Sequence, residues 1–306
     1  HEFEVLKDGT EVMATHMTDF LLVAVKAYMD ERGLTKLPFV PTPYLDEKFD
    51  DSDDPPAGEM AKSCASHLMK LLYAARLTRA DLVVAVTLLA RRVSKWYADE
   101  DRRLERLMSY VFHHAGLKQY YTLSSRDCDT AVLVYYPDAE LGGDQSSTKS
   151  TYGMWLALES EDGKRSWPLG WFCKKAGRSS GSTADSETYA LIDADDSGLK
   201  REVIPTLEQL EVSLDRPVKL IGMEDNTQCI AAIKRGYSPS LRYLKRHCKT
   251  SLGFTHEAFF PDPDEGEPRY IADLRHCPTA NQLGDWMTKA LDKNAFIAAR
   301  ERCGVR

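Results

Sequence analysis

The sequence lacks the features of a disulfide-bonded, zinc-binding or membrane-spanning protein. Its seven cysteines are scattered, odd in number and contain no C-x-x-C pair, which argues against a disulfide framework or a zinc knuckle. We therefore expect a reducing, intracellular setting, either a cytoplasmic particle or the nucleus. No apolar run approaches the roughly 18 residues that a spanning helix needs, so we expect no membrane partner.

An excess of positive charge is also missing. The 306 residues carry a formal net charge of −7, so any site for a polyanion must be local. The chain begins at His1 rather than Met and has no recognisable signal peptide, and we expect a piece of a longer protein. Its length suits roughly two domains.

Helical spacing dominates the first part of the chain. Apolar residues recur at i, i+4, i+7 and i+11 from Leu82 to Val93, and a second apolar face runs through residues 100–114. Residues 47–58, EKFDDSDDPPAG, have the acidic, proline-containing composition of a linker. We predict a mainly helical region over residues 1–128, with this linker inside it.

The sequence pattern changes at residue 129, from helical spacing to strand-like runs. Three β-branched and aromatic runs follow one another, and helices then alternate with strands. This order predicts an α/β domain over residues 129–306, with a mixed five-stranded sheet and flanking helices. Near its end, Thr279 and Gln282 form a T-x-x-Q pattern, which predicts a capping box for a helix over QLGDWMTKAL.

Four acidic residues lie at the ends of these predicted elements. Asp138 ends the first strand, Glu187 lies in the first turns of the first helix, Asp225 ends the fourth strand and Asp285 lies near the start of the last helix. Carboxylates gathered at one edge of a sheet repel one another unless hard cations such as Mg²⁺ or Mn²⁺ neutralise them. Two such ions about 3.5–4 Å apart can promote phosphodiester hydrolysis. Position alone does not select four of the 47 acidic residues.

The local sequence around each carboxylate resembles one known family. YYPDAELGGDQSSTKSTYG resembles S-D-A-D-W-A-G-D followed by R-K-S-T-S-G, and SSGSTADSETYAL resembles L-S-S-T-E-A-E-Y-M-A-L. MEDNTQCIAAI resembles C-D-N-Q-S-A-I, and HCPTANQLGDWMTKAL resembles H-V-P-T-E-E-Q-L-A-D-I-L-T-K-P-L. These patterns are those of the ribonuclease H domain in Ty1/copia-type retrotransposon polyproteins. The resemblance implies a ribonuclease H-like fold, with four metal-binding catalytic carboxylates at Asp138, Glu187, Asp225 and Asp285.

The resemblance extends upstream and also has departures. Residues 63–117 are similar to the copia-type segment between reverse transcriptase and ribonuclease H, which implies that residues 1–128 are a thumb or connection remnant. Ala80 replaces the proline of T-R-P-D, Glu140 replaces the second Asp of D-A-D, and the basic segment near 240–252 lacks T-K-H-I-D. No Y-x-D-D motif is present, so we expect no polymerase activity.

The family implies hydrolysis of the RNA strand of an RNA–DNA hybrid, with two Mg²⁺ ions for which Mn²⁺ can substitute. The rest of the reverse transcriptase or Pol polyprotein is the second expected partner. One alternative is a non-catalytic remnant that binds nucleic acid or serves as a scaffold. An integrase on the same fold is disfavoured, because integrases carry Asp, Asp and Glu in that order, whereas here Glu187 comes second.

Several further residues are weaker candidates. His276, nine residues before Asp285, is a candidate for proton transfer or product release, and the alternative is a structural hydrogen bond at a strand end. Candidates for binding nucleic acid are two asparagines and part of a basic run: Asn226, Asn281, Arg242, Lys245 and Arg246. For the basic run, a solvated helix face is the alternative, and for Asn281 a place in the first helical turn.

Overall fold

The computed structural model describes residues 1–5, 11–45, 55–144, 149–192, 197–238, 252–262, 264 and 268–306. Within them the chain forms two units, one made of residues 1–120 and 289–306 and the other of residues 121–288. Residues 47–54 of the predicted linker and residues 239–251 of the basic run lie outside the described part. No helix among the described residues is both long and apolar enough to cross a bilayer.

The second unit follows the predicted alternation of strands and helices. Its strands are β4 (Val132–Asp144), β5 (Lys149–Glu159), β6 (Ser166–Lys175), β7 (Leu220–Glu224) and β8 (Ala272–His276). Its helices are α5 (Thr183–Ile192), α6 (Ile204–Leu214), α7 (Thr227–Arg235), α8 (Leu252–Phe259) and the single turn α9 (Asp285–Thr288).

These strands form one sheet in the order β6-β5-β4-β7-β8. The first three pair antiparallel as a meander, whereas β7 is parallel to both β4 and β8. The α/β class and the mixed five-stranded sheet with flanking helices are therefore confirmed. The core lies between the sheet and its helices, where Leu133, Tyr135 and Met154 meet Leu191 and Leu207, all fully buried.

Strand β4 is longer than the sequence predicts. Asp138 was expected at the end of this strand, but the antiparallel pairing with β5 continues through Asp138↔Gly153 to Glu140↔Thr151. On the other side, the pairing with β7 stops earlier, at Tyr135↔Gly222. Asp138 thus lies on a segment that is paired on one side only.

The predicted last helix is wrong in its start and its length. Thr279–Asn281 form a 3₁₀ turn, Gln282 is extended, and α9 has four residues only. The capping box does not form, because the Gln282 side chain instead donates to the main-chain carbonyls of Pro137 on β4 and Met223 on β7.

The first unit is mainly helical, as predicted. Its helices are α1 (Thr18–Arg32), α2 (Cys64–Leu77), α3 (Val83–Ala90), α4 (Ala98–His113) and α10 (Lys293–Arg302). A small sheet, not predicted, contains β1 (Glu2–Val5), β2 (Glu11–Thr15) and β3 (Gln119–Tyr121) in that order.

The last residues of the chain pack in the first unit, although the sequence prediction placed them in a domain over 129–306. Phe296 on α10 is fully buried. Its ring centroid lies 5.6 Å from that of Tyr44 and 5.9 Å from that of Tyr110, both in edge-to-face geometry. Burial of this large apolar side chain accounts for the difference.

A buried ion pair lies at the centre of the first unit, within the T-R-A-D segment. Arg79 donates Nε to Asp81 Oδ1 at 2.8 Å and Nη2 to Asp81 Oδ2 at 2.7 Å. Neither side chain is exposed. The Tyr110 hydroxyl donates to the same carboxylate at 2.9 Å, and burial raises the pKa of Tyr110. This upstream motif is therefore explained by packing.

We expect Arg79→Met to lower the free energy of unfolding of this unit by about 3–5 kcal/mol, because it leaves Asp81 buried without its counter-charge. Urea denaturation measures the loss. Arg102→Met is the matched control, since Arg102 pairs with Asp99 while half-exposed, and its cost should stay below about 1 kcal/mol. Equal losses of unfolding free energy in the two variants would contradict a structural role for the buried Arg79–Asp81 pair.

A second ion pair closes a turn in the second unit. Asp127 accepts Ser124 N and Oγ, each at 2.8 Å, and Arg165 Nε at 2.9 Å. Arg165 holds the pKa of Asp127 down to about 2. Because the pKa of Asp127 is lower in the folded chain than in the unfolded chain, where an Asp has a pKa of about 3.9, the ion pair stabilises the fold at pH values above about 4. This stabilisation is lost as the pH falls and Asp127 becomes protonated.

We therefore expect Asp127→Asn to be less stable than the wild type at pH 7, with a difference that shrinks as the pH falls from about 4 to about 2. Thermal unfolding of both proteins across this range tests it. A difference that stayed constant over the range would show that the ion pair is not its source.

Candidate metal centre

Three of the four predicted carboxylates meet in the second unit. Asp138 on β4, Glu187 on α5 and Asp225 after β7 each offer an oxygen, and these oxygens lie within 4.8 Å of one another. Asp138 and Glu187 are buried and Asp225 is half-buried. Glu187 is 49 residues after Asp138 in the sequence, and Asp225 is 38 residues after Glu187. The fold thus brings distant parts of the chain together in one acidic cluster.

Glu187 is positioned by the start of α5. In the first turn, Asp185 accepts both Nη atoms of Arg178, at 2.7 and 3.1 Å, and Gly181 N at 2.8 Å. This pair fixes the preceding loop on the helix. Two residues further along α5, Glu187 Oε2 accepts the N–H of Ala139 at 3.0 Å, which ties α5 to the residue after Asp138.

Asp225 lies where β7 gives way to α7. Asn226 is the N-cap of α7, and its Oδ1 accepts the N–H groups of Gln228 and Cys229 at 2.9 and 3.1 Å. Thr279 donates its hydroxyl to Asp225 Oδ2 at 3.1 Å. The N-cap of α7 and the Thr279 hydroxyl therefore hold this turn in place.

The remaining carboxylate, Asp138, is held by α9. The Thr288 hydroxyl donates to Asp138 Oδ2. The turn approaches β4 so closely that a Cβ at Gly284 would lie 2.7 Å from Asp138 Cβ and 2.8 Å from Tyr136 O. Glycine at 284 is therefore required for Thr288 to reach this carboxylate.

Glu224 is a further acidic residue that the sequence reasoning missed. It is fully buried at the end of β7, and its Oε1 accepts Asn226 N at 2.9 Å. Burial raises the pKa of Glu224 well above its ordinary value, and the neighbouring Asp225 and Asp138 carboxylates raise it further. Its place as the last residue of an apolar strand, directly before Asp225, is the signal that could have identified it.

Asp285 is not one of the three converging carboxylates. It is buried and begins α9, one turn before Thr288. Its neighbour Gly284 approaches Asp138, so it lies in the element that packs on the site. Its role as a fourth ligand stays a prediction.

The weaker candidates fall into three groups. His276 is exposed at the end of β8, in register with Glu224, and Asn281 is exposed in the 3₁₀ turn. Asn226 acts as a helix cap through its oxygen. Arg242, Lys245 and Arg246 lie outside the described residues.

The donor set of the cluster suits a hard divalent cation. Like charges at about 4.8 Å repel by roughly 3 kcal/mol per pair at an effective dielectric constant near 20, and a bound cation would reverse that cost. The donors are all carboxylate oxygens, the ligands that Mg²⁺ and Mn²⁺ accept, whereas zinc favours nitrogen and sulfur.

No family model matches the sequence. Among solved structures, the chain is similar to the N-terminal RNase H domain of a Mycobacterium tuberculosis protein, fused to maltose binding protein, with 14% identity over 56% of this chain and 98% of that chain and a TM-score of 0.30. It is also similar to the foamy viral protease-reverse transcriptase dRH in complex with double-stranded DNA, with 14% identity and a TM-score of 0.33. That match covers 75% of this chain and 33% of the viral one.

We expect Asp225→Asn to raise the thermal stability of the cation-free protein, because it removes one charge from the repelling cluster. The wild type should gain stability on addition of Mg²⁺, by about 1.4 kcal/mol at ten times the dissociation constant, and the variant should not. Thermal unfolding in EDTA and in Mg²⁺ measures both effects. Glu161→Gln removes an exposed carboxylate and should behave as the wild type, so an Mg²⁺ response equal in all three proteins would rule out this site.

Proposed function

We propose that this chain contains the ribonuclease H of a copia-type retrotransposon polyprotein, which hydrolyses the RNA strand of RNA–DNA hybrids. The observation that carries the proposal is the convergence of Asp138, Glu187 and Asp225 within 4.8 Å. These are three of the four carboxylates that the family resemblance assigns to catalysis, and they come from the expected strand, helix and strand end.

The proposed cofactor is a pair of Mg²⁺ ions, for which Mn²⁺ can substitute. Asp138, Glu187 and Asp225 would hold them, together with Asp285 from α9. When bound, such ions activate a water molecule and stabilise the leaving 3′-oxygen of a phosphodiester. The products would carry 5′-phosphate and 3′-hydroxyl ends.

The chain's own residues have separate tasks in this scheme. The Ala139 N–H orients Glu187, and the Thr279 and Thr288 hydroxyls orient Asp225 and Asp138. We assign His276 to proton transfer or product release, since it is exposed at the carboxyl end of β8, beside the strand that leads to Asp225.

We assign substrate binding to two asparagines and to part of the basic run. Asn226 directly follows Asp225 and caps α7, and Asn281 lies in the 3₁₀ turn whose Thr279 contacts Asp225. Arg242, Lys245 and Arg246 would supply positive charge for phosphates. Recognition would rest on groove shape and 2′-hydroxyls, with little base specificity. The remainder of a reverse transcriptase or Pol polyprotein is the proposed protein partner.

We expect the wild-type chain to cut the RNA strand of a labelled hybrid in Mg²⁺ or Mn²⁺. Asp138→Asn should lose at least about a hundredfold in rate, because even residues that only support a metal ligand cost 10–100-fold when changed. Gel analysis of the hybrid, with duplex DNA as a second substrate, measures both rate and specificity. Glu161→Gln should cut at the wild-type rate.

Two results would contradict the proposal. One is intact RNA with the wild type in both metals, and the other is equal cutting by Asp138→Asn. Binding of hybrid and of Mn²⁺ without cleavage would favour the non-catalytic alternative, a nucleic-acid-binding or scaffold domain.

A further inference from the structure

Strands β4 and β7 stop pairing where the site begins. Their register ends at Tyr135↔Gly222, three residues before Asp138 on β4 and three residues before Asp225, which directly follows β7. Pro137, the residue before Asp138, has no N–H to donate. Main-chain pairing of β4 with β7 therefore stops short of the two carboxylates whose separation the site depends on.

The side chain of Gln282 bridges this gap. Its Nε2 donates to Pro137 O at 3.1 Å and to Met223 O at 3.0 Å, while its Oε1 accepts Gly284 N at 3.1 Å. A primary amide has two N–H hydrogens, so each strand receives one. Gln282 is buried, with 5% of its surface exposed, which strengthens these bonds and makes their loss costly.

The acceptors lie next to the site in sequence. Pro137 is directly before Asp138, and Met223 is two residues before Asp225. Three residues before Gln282, the Thr279 hydroxyl donates to Asp225 itself at 3.1 Å. The short segment from Thr279 to Gln282 thus contacts both strands and one of the carboxylates.

We propose that Gln282, assisted by Thr279, is a positioning residue that sets the separation of Asp138 and Asp225 and thereby the affinity of the centre for divalent cations. Gln282 does not touch the reacting atoms; it acts through the two carbonyls. The inference rests on the proposed metal-dependent function. Neither Met nor Glu at 282 can replace the amide, since Met has no N–H and an ionised Glu has acceptors only.

The test is direct Mn²⁺ binding to the full chain, read from the electron paramagnetic resonance signal of free Mn²⁺. We expect Gln282→Met and Gln282→Glu to weaken Mn²⁺ binding by about 10–100-fold, the usual effect of groups that orient metal ligands. Gln119→Met is the matched control. Gln119 is a buried glutamine of the other unit whose Nε2 also donates to two main-chain carbonyls, those of Tyr120 and Cys303. It should lose stability without losing Mn²⁺ affinity.

Thr279 provides a test that does not depend on the folding of a core variant, because it is exposed. Thr279→Val should weaken Mn²⁺ binding by about tenfold, and Thr279→Ser, which keeps the hydroxyl donor, should restore it. Wild-type Mn²⁺ affinity in Gln282→Met and Thr279→Val would overturn the inference and leave the proposed function standing. The opposite outcome separates the two ideas in the other direction. If the wild type cuts no hybrid but the Gln282 variants still bind Mn²⁺ more weakly than the wild type, the inference is supported and the proposed function fails.

Discussion

Mutual repulsion among Asp138, Glu187 and Asp225 is the constraint on which the second unit depends. Three carboxylates with oxygens within 4.8 Å of one another resist assembly by several kcal/mol without a cation, and a folded domain is stable by only about 5–15 kcal/mol. Each of the three is therefore fixed by a separate piece of structure: the long pairing of β4 with β5, the Arg178–Asp185 clamp at α5, and the cap of α7.

Three neutral donors among the described residues contact the cluster. They are the N–H of Ala139 and the hydroxyls of Thr279 and Thr288, which donate to Glu187, Asp225 and Asp138 respectively. Neutral donors orient a carboxylate while leaving its charge available for a cation, whereas a lysine or arginine would cancel it.

The sequence predicts the class of fold and the central residues, because both depend on local patterns. Alternation of strands and helices predicts the mixed sheet, and the motifs around Asp138, Glu187 and Asp225 predict residues that do converge. Gln282 shows where this reasoning stops. Its T-x-x-Q spacing predicts a local helix cap, but two carbonyls from distant strands compete for the same amide. Such a competition is decided by tertiary structure, and so are the burial of Glu224 and the packing of α10.

The buried Glu224 affects the electrostatics at this edge of the sheet. A fully buried carboxyl group beside Asp138 and Asp225 would add to their repulsion if ionised, and its raised pKa instead favours the neutral form. In the cation-free site the negative charge then comes from the three converging carboxylates, and Glu224 accepts a hydrogen bond from the main-chain N–H of Asn226. Since a neutral acid at this position lowers the cost of holding Asp225 near Asp138, the same strand end can carry two adjacent acidic residues. The close approach of Asp138 and Asp225 therefore depends in part on the neutral form of the buried Glu224 beside them.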